Sequence, residues 1–115
     1  MNRVRAPFNV STLAQVAATA AIDDLDHVRS SRELNQRERK RLSETLSARG
    51  LSVAPSQANF VLLDLGKPAR PVYEALLRKG VIVRPFANLP SSLRVTVGTE
   101  RENDRFLGAL SEVMP

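Results

Sequence analysis

The chain contains no cysteine and a single histidine, His27. Without cysteine there can be no disulfide, no thiolate catalysis and no cysteine-based zinc site. One histidine excludes a multi-histidine metal centre and leaves a Ser-His-Asp triad only one possible base. Glycine is also scarce: Gly50, Gly66, Gly80, Gly98 and Gly108 are scattered, four of them at expected element ends, so no glycine-rich loop is available to cradle a phosphate. No apolar run approaches the roughly 20 residues of a membrane span, and Met1-Asn2-Arg3-Val4-Arg5 lacks the apolar core of a signal peptide. The expected setting is reducing and cytoplasmic, with no membrane partner.

What is present fits one ordinary domain. A length of 115 residues with 43% hydrophobic positions can enclose a core, and a single domain over 1–115 is expected. The net charge of +5 comes from 17 Lys and Arg against 12 Asp and Glu. Across Arg29 to Arg49 the bases are interleaved with Glu33, Glu38 and Glu44, the pattern of a solvated helix face. A free-standing basic module that binds nucleic acid or an acidic protein is the alternative reading. It is disfavoured because one tyrosine, Tyr73, and four phenylalanines leave little for base stacking. Asp23, Asp24 and Asp26 beside His27 have the spacing of a helix junction rather than of a metal site.

Local patterns predict the element order. Ser11 to Ile22 is alanine-rich, with Asn9 or Ser11 as its cap, and a second helix runs from the aspartates to about Ala48, where Gly50 stops it. In its middle only Leu34 is clearly apolar, which predicts an exposed stretch. Ala58 to Leu65 is so continuously apolar that it predicts a strand buried on both faces. A turn over 66–71 leads to a short helix, Val72 to Lys79, with Pro71 at its first position and Gly80 at its end. Strands are predicted at Val81–Arg84 and Leu93–Val97, with a loop between them. Thr99 and Glu102 form a capping box before a helix whose apolar stripe is Phe106, Leu107, Leu110, Val113 and Met114. The sum is an α+β fold, a small and mostly antiparallel sheet covered by helices.

Two arginines carry the chemistry. Arg84 ends one predicted strand, and Arg94 lies on the polar face of the other, where Leu93, Val95 and Val97 point the opposite way. A guanidinium fixed on a rigid strand grips carboxylate or phosphate bidentately, but pairing with a local acid such as Asp64 or Asp104 is equally open at this point. Arginine cannot transfer protons at ordinary pH, so these groups bind and orient. Lys40, Lys67 and Lys79 lie in a charged helix, a turn and a helix end, and none reads as a nucleophile. No residue of this chain is assigned a catalytic role.

Several segments in register resemble the carboxy-terminal part of histidinol-phosphate aminotransferases. They are Arg5-Ala6-Pro7-Phe8-Asn9-Val10, Pro55-Ser56-Gln57-Ala58-Asn59-Phe60, Gly80-Val81-Ile82-Val83-Arg84-Pro85 and Leu93-Arg94-Val95-Thr96-Val97-Gly98-Thr99, continued by Glu102-Asn103-Asp104-Arg105-Phe106. The resemblance implies the small domain of a pyridoxal-phosphate enzyme of the aspartate-aminotransferase fold, homodimeric when intact, working in histidine biosynthesis. An aminotransferase for aromatic amino acids shares much of the pattern. By the same resemblance Arg94 grips the α-carboxylate of an amino acid or 2-oxo acid, and Arg84 holds the substrate phosphate. The Schiff-base lysine, the aspartate facing the pyridine nitrogen and the cofactor-phosphate residues are implied to lie in a large domain upstream. The chain by itself is therefore expected to be inactive and to bind no pyridoxal phosphate. Its segment Phe86 to Ser92 is about two residues shorter than the resemblance leads one to expect, which puts the spacing of the two arginines in question.

Overall fold

The computed structural model describes residues 9–114. Helices α1 (Thr12–Ile22) and α2 (Leu25–Ala48) come first, followed by strands β1 (Ser52–Val53) and β2 (Phe60–Asp64). Helix α3 (Ala69–Arg78), strands β3 (Arg84–Phe86) and β4 (Leu89–Thr96) and helix α4 (Glu100–Val113) complete the order. The chain divides inside α2 into two compact units, residues 1–31 and residues 32–115.

In the first unit Ser11 caps α1, its hydroxyl accepting the Ala14 amide at 3.2 Å, and Asp24 caps α2 by accepting the His27 amide at 3.0 Å. The aspartates thus serve the helix junction, as the sequence predicts. No residue of α1 is buried, and Leu13 is 84% exposed. Eleven residues without a packed face make a marginal helix in water. Hydrogen exchange on the 115-residue chain is expected to show the α1 amides exchanging far faster than those of α4; equal protection of the two would contradict this.

The second unit is built on an antiparallel sheet of order β1-β2-β4-β3. Val61, Leu63, Leu93 and Val95 form its inner face and pack with Leu42 and Leu46 of α2, Val72 and Leu76 of α3, and Phe106 and Leu110 of α4. The α+β reading holds. Helices α2 and α3 both end on a left-handed glycine: Gly50 (φ 79°) and Gly80 (φ 73°) donate to Ser47 and Leu77, and the following Leu51 and Val81 donate to Leu46 and Leu76. The capping box of α4 is complete.

Four local expectations are corrected. Strand β2 is not buried on both faces: Val61 and Leu63 are fully buried, whereas Phe60 and Leu62 are only half-buried and Asp64 is exposed. An unbroken apolar run reads the same whether its second face is covered or open. Helix α3 starts at Ala69, so Pro71 is its third residue. That position is still in the first turn, whose N–H groups have no acceptor within the helix. Residues 81–83 precede the strand rather than form it, because the Val81 amide is used to close α3. The predicted loop between the arginines is instead a hairpin, with Ala87 and Asn88 at its tip and a register shift after Pro85 that accommodates Pro90, Ser91 and Ser92. Pro85 is tolerated because β3 is an edge strand.

Candidate functional site

The register answers the question of arginine spacing. Arg84 on β3 stands directly opposite Arg94 on β4, so both side chains leave the same face of the sheet, the face opposite to the core. Arg94 is also opposite Leu62 of β2, which places it at the centre of three strands, while Arg84 lies on the edge. Arg94 is half-buried and Arg84 exposed.

Neither guanidinium is neutralised. Among the described residues no carboxylate pairs with Arg84 or Arg94, and the buried Nε of Arg94 has no hydrogen-bond partner. The acids that the sequence offered are engaged elsewhere. Asp104 accepts from Arg41 Nη1 at 2.7 Å, and Asp64 accepts from the Gly66 amide at 2.9 Å. That amide, together with the Ser91 hydroxyl, holds the Asp64 carboxyl below the usual carboxylate range. Like charges placed opposite one another on adjacent strands are destabilising by roughly 0.2–1 kcal/mol, and an unpaired buried donor adds to that cost. An arrangement of this kind is relieved by a bound anion.

Each arginine lies over a phenyl ring. Arg94 Cζ is 5.1 Å from the centroid of Phe60, and Arg84 Cζ is 5.5 Å from that of Phe86. Phe60 is fixed by the Pro55-to-Phe60 segment. The Ser56 hydroxyl accepts the Ala58 amide at 3.1 Å and donates to the Phe60 carbonyl at 2.6 Å, while Arg39 holds the Ala58 carbonyl at 2.9 Å. The alternation of Phe60 with Val61 and Leu63 along β2 is the sequence signal that sets it on the face opposite to the core.

A second polar cluster lies where α2 meets α4. Glu38, 2% exposed, accepts from Arg41 (2.8 and 3.1 Å) and from Asn103 Nδ2 at 3.0 Å. Asn103 also brackets Gly98, donating to its carbonyl and accepting its amide, both at 3.1 Å. The exit of β4 is thereby tied to two helices. Gly98 has no room for a side chain: a Cβ there would lie 2.6 Å from Glu102 Oε2.

The described residues do not make a pyridoxal-phosphate site by themselves. The cofactor needs an amine for its imine, and none of the three lysines lies on β2, β3 or β4: Lys40 is on α2 near Glu44, Lys67 is in the turn after β2, and Lys79 is paired with Glu112. Among the described residues no helix is long and apolar enough to cross a membrane.

An α+β unit of this topology is shared with solved aminotransferases. Residues 1–110 match the family Aminotransferase class I and II, and the chain belongs to that family. Within it the chain is 53% identical over 116 residues to histidinol-phosphate aminotransferase 2 of Pseudomonas aeruginosa, covering 99% of this chain and 31% of that protein. It is 50% identical to histidinol-phosphate aminotransferase 2 of Pasteurella multocida, over 98% of this chain and 32% of that one. The histidinol-phosphate aminotransferase of Sinorhizobium meliloti, solved in complex with pyridoxal-5'-phosphate, superposes with a TM-score of 0.83 at 30% identity, covering 97% of this chain and 32% of its own. The enzyme of Clostridium acetobutylicum gives the same TM-score at 29% identity, over 97% and 36%. The chain therefore spans about a third of the length of the relatives it matches. The first matching segment, Arg5 to Val10, lies largely outside the described residues.

Proposed function

We propose that this chain is the small domain of a pyridoxal-phosphate aminotransferase acting on histidinol phosphate or a closely related substrate, in a homodimeric cytoplasmic enzyme of histidine biosynthesis. Arg94 holds the α-carboxylate of the amino-acid or 2-oxo-acid substrate, and Arg84 holds the substrate phosphate. Domain 1–115 acts by binding and orienting. The pyridoxal phosphate held by other residues of the intact enzyme supplies the electron sink for amino transfer. Without those residues the chain is inactive and forms no imine with the cofactor.

The observation that carries this reading is the directly opposed and unneutralised pair Arg84 and Arg94. Two fixed guanidinium forks on one face match the two oxygens of a carboxylate or the three of a phosphate.

Thermal unfolding of the 115-residue chain tests the grip. Inorganic phosphate at ten times its Kd is expected to stabilise the wild type by about 1.4 kcal/mol, by mass action. The gain should vanish in the double variant Arg84→Ala, Arg94→Ala. Equal stabilisation of both proteins would mean a general salt effect and would remove the assignment.

A further inference from the structure

We infer that Phe60 is a positioning residue for Arg94: its ring holds the guanidinium in place without taking up a hydrogen-bond donor that the substrate anion needs. The inference rests on the carboxylate role proposed for Arg94. Phe60 is paired with Thr96, two residues along β4 from Arg94 and on the same face, a diagonal separation that an aromatic side chain can bridge. The guanidinium carbon lies 5.1 Å from the ring centroid, within the range of a cation–π contact. A carboxylate in the place of Phe60 would fix the arginine as firmly but would also neutralise it and occupy its fork. An aliphatic side chain would fill the space without attracting the charge. The phenyl ring does neither. It draws the cation to its face through the quadrupole and forms no hydrogen bond. The platform is itself rigid, since Ser56 grips the Phe60 carbonyl and Phe60 pairs with Thr96 of β4. Phe86 meets Arg84 in a similar contact, but from two residues along the same edge strand.

Two measurements decide this. In the intact aminotransferase carrying this segment, Phe60→Leu should raise KM for the amino-acid and 2-oxo-acid substrates about tenfold, the scale of a partly desolvated cation–π contact, with kcat changed much less. Phe60→Tyr, which keeps the ring, should stay near the wild type. In the 115-residue chain the Arg94 Nε–H resonance should show a ring-current shift that disappears in Phe60→Leu and survives in Phe60→Tyr. Equal damage by Leu and Tyr would show that Phe60 matters for packing alone, and wild-type KM in Phe60→Leu alongside an impaired Arg94→Ala would overturn the inference. Wild-type kinetics in Arg94→Ala would instead refute the carboxylate assignment, while the ring-current measurement would still report whether the ring holds the guanidinium.

Discussion

Replacing Arg94 with alanine in the intact aminotransferase should lower kcat/KM for amino-acid and 2-oxo-acid substrates alike, by roughly 2–5 kcal/mol or about thirty- to several-thousand-fold. The magnitude follows from where the group sits. Arg94 is half-buried at the centre of β2, β4 and β3 and has no carboxylate to fall back on among the described residues, so truncation removes the partner proposed for the substrate anion. Arg94→Lys should recover only part of the loss, because an ammonium keeps the charge but not the planar fork. Arg84→Ala should behave differently. Lying on the edge and exposed, it should weaken a phosphorylated substrate while leaving a purely carboxylic one nearly untouched. The variants should also part from ordinary core mutants in stability. Removing Arg94 relieves a like-charge pair and an unpartnered buried Nε while giving up the contact with the Phe60 ring, so the chain should lose much less stability than on truncation of a core leucine. Unchanged steady-state kinetics in Arg94→Ala would end the assignment.

The two arginines were legible because alternation along Leu93-Arg94-Val95 fixes the face of Arg94 whatever the rest of the chain does. Their direct opposition was not. It depends on a register set by the hairpin at Ala87 and Asn88 and by the shift after Pro85, whereas two prolines in the eight residues 85–92 suggest a loop. The capping box, both helix-ending glycines and the stripe of α4 were read from the sequence because each is a local device whose partners lie within a few residues. The contact of Phe60 with Arg94 was not legible, because it depends on a neighbour 34 residues away brought in by the pairing of β2 with β4. Glu38 was assigned to a solvated face for a similar reason. Charge interleaving describes a helix surface on average and cannot single out the residue that meets Asn103.

That buried carboxylate is the second place where a single change should have a large effect. Glu38→Ala strips Asn103 of one acceptor and Arg41 of the acceptor for two of its N–H groups, though Asn103 keeps Gly98 and Arg41 keeps Asp104. The carboxylate is covered by protein yet sits just beneath Arg41, which is 34% exposed, so solvent softens the penalty. The cost expected is about 2 kcal/mol, at the middle of the range for orphaning buried donors, or roughly 10 °C in Tm. Its pH dependence has a definite sign. The Arg41 hydrogen bonds, then Asn103, hold the Glu38 carboxyl below its ordinary value against the opposing effect of burial. A depressed folded-state value means the stabilisation is complete above the unfolded value of about 4.3 and is lost as pH falls through the folded one. Asp64 and Glu102 are shifted in the same direction and remain in the variant, so both proteins weaken in acid, but the wild type should weaken more. Urea midpoints at neutral pH and in acid are the measurement. The gap between wild type and Glu38→Ala should be widest at neutrality and close as Glu38 protonates, and a gap that stayed constant would mean the carboxylate carries no charge-dependent stability.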